Sequence, residues 1–196
     1  MTERTGKLTI KGNPLTLLGE EVKVGQKAPN FTARTAFGPD TKVTLDSSKG
    51  KIRIISVSPS LDTSVCELQA IRFDQEASKL EDVEIIHITV DLPPAQARFC
   101  ANQLKGSNKV KMVSDYAERS FGMNYGILIK EWQVLSRGIF IVGKDDVVKY
   151  AEYVPAVAQL PNFDKALEAV KALKWFYRTE SGLLPIFSSC IKVRDD

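Results

Sequence analysis

The sequence predicts a single α/β domain built on a mixed β-sheet with helices on both faces. Short β-branched apolar runs alternate with segments of helical period through the middle of the chain. The pattern then closes with a hairpin and one more helix, which makes the sheet mixed. The chain has 196 residues, 43% of them apolar, enough to bury a core without staples.

The elements follow in order. Lys7–Ile10 and Leu15–Leu17 flank Lys11-Gly12-Asn13-Pro14, which reads as the turn of an amino-terminal hairpin. A second extended pair is expected at Asn30–Thr35 and Lys42–Leu45, around Gly38-Pro39-Asp40. Lys51–Ser58 is short, β-branched and apolar, as a central strand should be. A loop from Pro59 to Thr63 leads into a helix over Ser64–Leu80. Val65, Leu68, Ile71, Phe73, Ala77 and Leu80 set its period, and Ser64 with Glu67 fits a capping box.

Val83–Val90 is the next strand, followed by a proline-opened helix over Pro94–Gln103. A short strand at Val110–Val113 and a short helix near Ala117–Phe121 precede the strand Gly138–Val142. Gly143-Lys144-Asp145-Asp146 turns the chain into Val147–Val154, and a closing helix spans Phe163–Phe176.

Composition excludes several classes. With 27 basic and 24 acidic residues, the charge gives no reason to expect nucleic-acid binding. Three cysteines are too few, and odd in number, for a secreted disulfide scaffold. There is no C-x-x-C pair, so a thioredoxin-type dithiol and a paired-cysteine zinc site are unsupported. The single histidine, His87, lies between isoleucines in a strand, reads as structural, and cannot build a multi-histidine metal site. No signal peptide or apolar run of membrane-spanning length is found, so the expectation is a cytoplasmic, reducing location without membrane contact.

The sharpest local feature is Pro59-Ser60-Leu61-Asp62-Thr63-Ser64-Val65-Cys66. It puts a cysteine in the first turn of a helix that follows a buried strand. Unpaired N–H groups and the macrodipole make that end locally positive and favour a thiolate. Thr63 stands three residues before Cys66, close enough for its hydroxyl to bond the sulfur or a substrate. Position alone leaves two readings open: a reactive thiolate with a donor, or a small buried hydrophobe beside a plain cap.

The setting P-x-x-x-T-x-x-C resembles the peroxiredoxins, and more closely their thiol peroxidase branch, the atypical two-cysteine enzymes. Further motifs in register carry the resemblance over residues 1–174: Asp91-Leu92-Pro93 with Arg98-Phe99-Cys100, Ser114-Asp115, and Phe121-Gly122-x-Asn124-Tyr125-Gly126, besides the amino-terminal hairpin. It implies a thioredoxin-like fold. Two positions depart from the family pattern. Ser64 stands where proline is usual, and Ala117 where an arginine is usual, with Arg119 nearby on a different helical face.

What the resemblance implies is a cofactor-free and metal-free peroxidase. Cys66 is the peroxidatic thiolate, oxidised to a sulfenic acid by hydrogen peroxide or an organic hydroperoxide. Thr63, the Cys66 N–H and Arg137 supply donors to the transition state, and Pro59 shields and shapes the pocket. Cys100 matches the resolving cysteine that closes an intramolecular disulfide with Cys66, which requires both segments to loosen. Thioredoxin as reductant and a homodimer are the implied partners. A peroxide sensor or redox interaction module on the same scaffold is the competing reading. Retention of Thr63, Arg137 and Cys100 together favours the enzyme.

The resemblance does not cover residues 175–196. Gly182 and Pro185 are expected to break the closing helix. Leu183, Leu184, Ile186 and Phe187 would be sticky if exposed, so the segment is expected to dock on the domain or a second subunit, with Cys190 a bystander.

Overall fold

The computed structural model describes residues 2–77 and 79–180. The amino-terminal hairpin joins β1 (Glu3–Ile10) to β2 (Asn13–Leu18). Its turn is tighter than expected. Lys11 and Gly12 both take positive φ, 47° and 82°, as a two-residue type I′ turn requires. Asn13 and Pro14 therefore belong to β2 and pair with Ile10 and Thr9. The strand also starts earlier than Lys7. Arg4 pairs with Glu21 and donates through Nε to the Gly19 carbonyl at 2.9 Å, a tether that apolar patterning does not reveal. A two-residue strand, β8 (Leu128–Ile129), completes this small sheet on the free side of β2.

The main sheet contains β3 (Thr32–Arg34), β4 (Lys42–Thr44), β5 (Ile52–Val57), β6 (Val83–Thr89), β7 (Val110–Ser114), β9 (Gly138–Val142) and β10 (Val148–Tyr153). Their order is β10-β9-β5-β6-β7-β3-β4. β5, β6 and β7 run parallel, while β9 pairs antiparallel with both β5 and β10. All six residues of β5 are buried, as its unbroken β-branched character requires at the centre of a sheet.

Helices α1 (Ser64–Ala77), α2 (Pro93–Asn102) and α4 (Phe163–Glu180) cover one face. Ala70, Phe73, Phe99, Ala166 and Val170 pack there on Ile54, Ile85, Ile139 and Ile141. The other face carries Ile55, Val57, Ile86 and Phe140 beneath Phe31, Phe121 and Tyr125 around α3 (Ser120–Asn124). The expected mixed sheet with helices on both faces is thus present.

α3 starts three residues later than expected, because Arg119 adopts a left-handed conformation (φ 53°) immediately before it. Neither Ala117 nor Arg119 lies on that helix, and Arg119 Nη1 donates to the Gln133 carbonyl at 2.7 Å. α4 continues to Glu180, past the expected end at Phe176 and across the expected boundary at residue 174, with Trp175 exposed. The expected break at Gly182 and Pro185, the docking of the tail and Cys190 lie outside the described residues. Among the described residues, no helix is long and apolar enough to cross a membrane.

Candidate active site

β5 delivers the chain to the top of the sheet, and residues 58–63 turn it into α1. The Thr63 carbonyl accepts the N–H of Glu67 at 3.0 Å, the first helical bond, so Thr63 is the N-cap. The cap thus lies one residue before Ser64, and the expected Ser64–Glu67 capping box is not formed, because Cys66 and not Glu67 is the third helical residue. Ser64 is already inside the helix and exposed. Cys66 is the third residue of α1, one turn above Thr63. Its own N–H donates to the Thr63 carbonyl at 3.0 Å, so the expected free backbone donor is already engaged by the tightened first turn.

Cys66 is buried, 1% exposed, and its sulfur accepts two side-chain donors. The Thr63 hydroxyl stands 2.8 Å from Sγ; it also lies 3.1 Å from the Ser60 carbonyl, and its one proton serves either acceptor. Arg137 Nη2 stands 3.2 Å from the same sulfur. Strand pairing explains this arrival from 71 residues away. Val57 pairs with Gly138, so Arg137 falls beside the first residue of the Cys66 loop. A Cβ on Gly138 would meet the Glu152 carbonyl oxygen at 2.6 Å, so glycine lets β9 lie close against β10 beside Arg137.

The Arg137 guanidinium is itself buried. Nη1 donates to Gln69 Oε1 at 2.6 Å, and Nη2 also donates to the Val157 carbonyl at 3.2 Å. Nε has no partner among the described residues, and no carboxylate of those residues lies within ion-pair distance. Behind Arg137 the polar contacts continue. Gln69 Nε2 donates to Ser56 Oγ at 2.8 Å and to the Val57 carbonyl at 3.2 Å. His87 is fully buried between two serines, with Nδ1 2.9 Å from Ser56 Oγ and Nε2 2.9 Å from Ser58 Oγ. Burial, with the charge of Arg137 adding to it, pushes the imidazole down to about 3, so it is neutral.

Pro59 is buried at the start of the loop. Asp91 holds the next two residues: its carboxylate accepts from the Ser60 hydroxyl and from the Leu61 N–H, each at 2.7 Å. Asp91 stands two residues before α2, the helix that bears Cys100. That cysteine is the eighth of the ten residues of α2, a rise of roughly 10 Å below its first turn. It is half-buried, and burial together with the nearby Asp74 carboxylate pushes its thiol up. Both Cys66 and Cys100 are free thiols in this structure.

The structure thus brings Cys66, Thr63 and Arg137 into contact, sets Pro59 in the loop below them, and leaves Cys100 on a separate helix. Sequence reading did not single out Gln69, Ser56, Ser58 or the grip of Asp91. A signal existed for three of them. Gln69 shares the otherwise apolar inner face of α1 with Ala70 and Phe73, while Ser56 interrupts the apolar run of β5 and Ser58 follows just after its end.

A mixed sheet that presents a cysteine at a helix amino terminus, under a hydroxyl and a guanidinium with no carboxylate partner among the described residues, defines a thiol-based redox protein of thioredoxin-like fold. Residues 23–167 match the Redoxin family, and the chain belongs to it. It is 49% identical to the thiol peroxidase of Halalkalibacterium halodurans over 165 residues, which cover 84% of this chain and 97% of that protein. Identity to the thiol peroxidase of Bacillus subtilis is 47%, over 85% of this chain and 98% of that one. The crystal structure of a peroxiredoxin-like protein from Aquifex aeolicus aligns with a TM-score of 0.77 at 34% identity, covering 86% of this chain and 98% of the other. The resemblance to the thiol peroxidase branch of the peroxiredoxins, read from the motifs, is borne out by these relatives.

Proposed function

We propose that this chain is a thiol-dependent peroxidase acting on hydrogen peroxide and organic hydroperoxides, with Cys66 as the peroxidatic residue. The observation that carries the reading is the double donation to the Cys66 sulfur, from Thr63 at 2.8 Å and Arg137 at 3.2 Å. A sulfur anion in this site is balanced by the guanidinium. It attacks the terminal oxygen of ROOH; the S–O bond forms as the O–O bond breaks. The departing oxygen takes a proton and leaves as water or an alcohol. Sulfur is oxidised to the sulfenic acid by two electrons, and the peroxide is reduced by the same two. Charge moves from sulfur to the leaving oxygen, so fixed donors serve better here than an acid–base group. Pro59, which has no N–H, closes the loop beneath without adding a competing donor.

Cys100 then condenses with the sulfenic acid, forming the Cys66–Cys100 disulfide and releasing water. An external dithiol of the thioredoxin type takes the disulfide back to two thiols and is itself oxidised. Two helix-borne cysteines need Cα atoms within about 7 Å to bond. The first turn of α1 and the lower part of α2 therefore open during each cycle. The proposed setting is a cytoplasmic homodimer that uses no metal or cofactor and binds no nucleic acid.

The test is Cys66→Ser. Serine keeps the shape but is a far weaker nucleophile at neutral pH. Peroxide consumption with a thioredoxin system should vanish while circular dichroism stays that of the parent. Retained turnover would sink the assignment.

A further inference from the structure

We propose that His87 is a positioning residue for Arg137: through Ser56 and Gln69 it fixes the guanidinium so that Nη2 faces the Cys66 sulfur. The proposal rests on the peroxidase reading of Cys66 and Arg137, and it extends that reading to a histidine that touches neither.

Arg137 sets the direction of hydrogen bonding in this chain as far as Ser56. Arg137 has only donors, so the Gln69 oxygen must face Nη1 (2.6 Å). The Gln69 nitrogen then donates to Ser56 Oγ (2.8 Å) and to the Val57 carbonyl (3.2 Å). Ser56 Oγ has a single proton left to place, and its remaining neighbour is His87 Nδ1 at 2.9 Å. With Nδ1 as acceptor the Ser56 hydroxyl is satisfied and the run from Arg137 stays unbroken; this is the imidazole tautomer assigned to His87. The other nitrogen, Nε2, carries the hydrogen and donates to Ser58 Oγ at 2.9 Å.

Each bond in such a run polarises the next in a medium of low dielectric. The consequence for Arg137 is a strong, fixed acceptor at Nη1. The guanidinium is planar and rigid, so anchoring Nη1 on Gln69 also aims Nη2 at sulfur. The members are Arg137, Gln69, Ser56, His87 and Ser58, each no more than 1% exposed, so water does not offer substitutes. An imidazole serves where a second cation would not, because a charged His87 would have no acceptor to offer Ser56 and would repel Arg137.

The experiment compares His87→Leu, His87→Asn and Ser56→Ala with the parent protein, all measured well below their melting temperatures. Two rates are read: reaction with hydrogen peroxide, and alkylation of Cys66 by iodoacetamide at fixed pH. Leucine removes the acceptor at Nδ1, whereas the asparagine oxygen can replace it. In His87→Leu both rates should fall, the peroxide rate by about 10-fold or more, since misplacement of a catalytic group by a fraction of an ångström is enough for this. His87→Asn should recover most of the loss, which a role in stability alone would not produce. Wild-type rates in a folded His87→Leu protein would overturn the proposal. If that variant does not fold, Ser56→Ala cuts the same link and decides in its place, with the same expected loss. Cys66→Ser, run in parallel, separates the two readings. Peroxide consumption that survives in it counts against the peroxidase assignment, and the alkylation rates then judge His87 on their own.

Discussion

Arg137 Nη2 lies 3.2 Å from the sulfur of Cys66, and the guanidinium that carries it is 1% exposed with no carboxylate beside it among the described residues. Burying a cation costs several kcal/mol unless an anion or a full set of acceptors compensates. Here the acceptors are Gln69, the Val157 carbonyl and the sulfur. The sulfur is the member of this set that can carry negative charge, and in the proposed cycle thiolate and guanidinium stabilise one another.

Arg137→Lys tests that relation. Lysine keeps the charge but has one nitrogen, which cannot reach Gln69, Cys66 and Val157 in the geometry of a planar fork. Stopped-flow reduction of hydrogen peroxide should slow by about 100-fold, the scale expected when one fixed donor to a developing anion is lost. A rate within a factor of about two of the parent would show that the guanidinium is not part of the chemistry.

Cys100→Ser should separate the two halves of the proposed cycle. One equivalent of peroxide should still be reduced quickly, because Cys66, Thr63 and Arg137 are untouched. Turnover with thioredoxin should then collapse, and mass spectrometry should find Cys66 drifting to sulfinic acid. Steady-state turnover equal to the parent's would mean that another thiol resolves the sulfenic acid.

The parts of this site legible in the sequence were those whose chemistry has a local signature. A threonine and a cysteine three apart at a strand-to-helix junction announce a helix-end thiol, and Arg137 and Cys100 were added only by the resemblance to the peroxiredoxins. The parts that were not legible are created by strand pairing. Arg137 meets Cys66 because β9 lies antiparallel to β5, and Ser56 meets His87 because the two face each other in the parallel pair of β5 and β6. In the fold, long elements declared themselves by their apolar period. β8 did not, being two residues that gain strand character from β2. Asn13 and Pro14 were read as turn by their residue type, yet the positive φ of Lys11 and Gly12 completes the turn and leaves both in the strand.

Asp91 joins the loop before Cys66 to the entry of the helix bearing Cys100. Both of its oxygens are used, by the Ser60 hydroxyl and the Leu61 N–H at 2.7 Å each, while its carbonyl accepts from the Ser114 hydroxyl at 2.5 Å. Asp91→Asn removes the charge and leaves one amide oxygen for the Leu61 N–H. The amide nitrogen then faces the Ser60 hydroxyl, which must turn from donor to acceptor, so two charge-assisted bonds become neutral ones. The loop should loosen at a cost of about 1–3 kcal/mol. Hydrogen exchange at residues 60–66 should quicken, and the Cys66–Cys100 disulfide should form faster after oxidation. Unchanged exchange in that segment would show that Asp91 does not restrain it.

The pH dependence of stability gives the last prediction, and it turns on the chain's single histidine. Burial holds His87 down at about 3, below its ordinary 6.5. The unfolded chain therefore binds a proton at this residue throughout the window between those values, while the folded protein does not. The stability tied to neutral His87 is complete above pH 6.5 and is lost as the pH falls toward 3, by up to about 1.4 kcal/mol per unit. Asp115 acts in the opposite sense. Burial pushes its carboxyl up to about 6, from an ordinary 3.8, so its contribution grows as the pH falls through that range. The parent alone would show these two summed with other shifted carboxylates, Glu84 among them. The difference between the parent and His87→Asn cancels Asp115, because that residue is present in both. Urea unfolding at pH 7, 6 and 5 should find the parent losing stability faster than the variant at each step. Parallel curves from pH 7 to 5 would mean that His87 takes up its proton without unfolding, and that the serine pair does not hold it neutral.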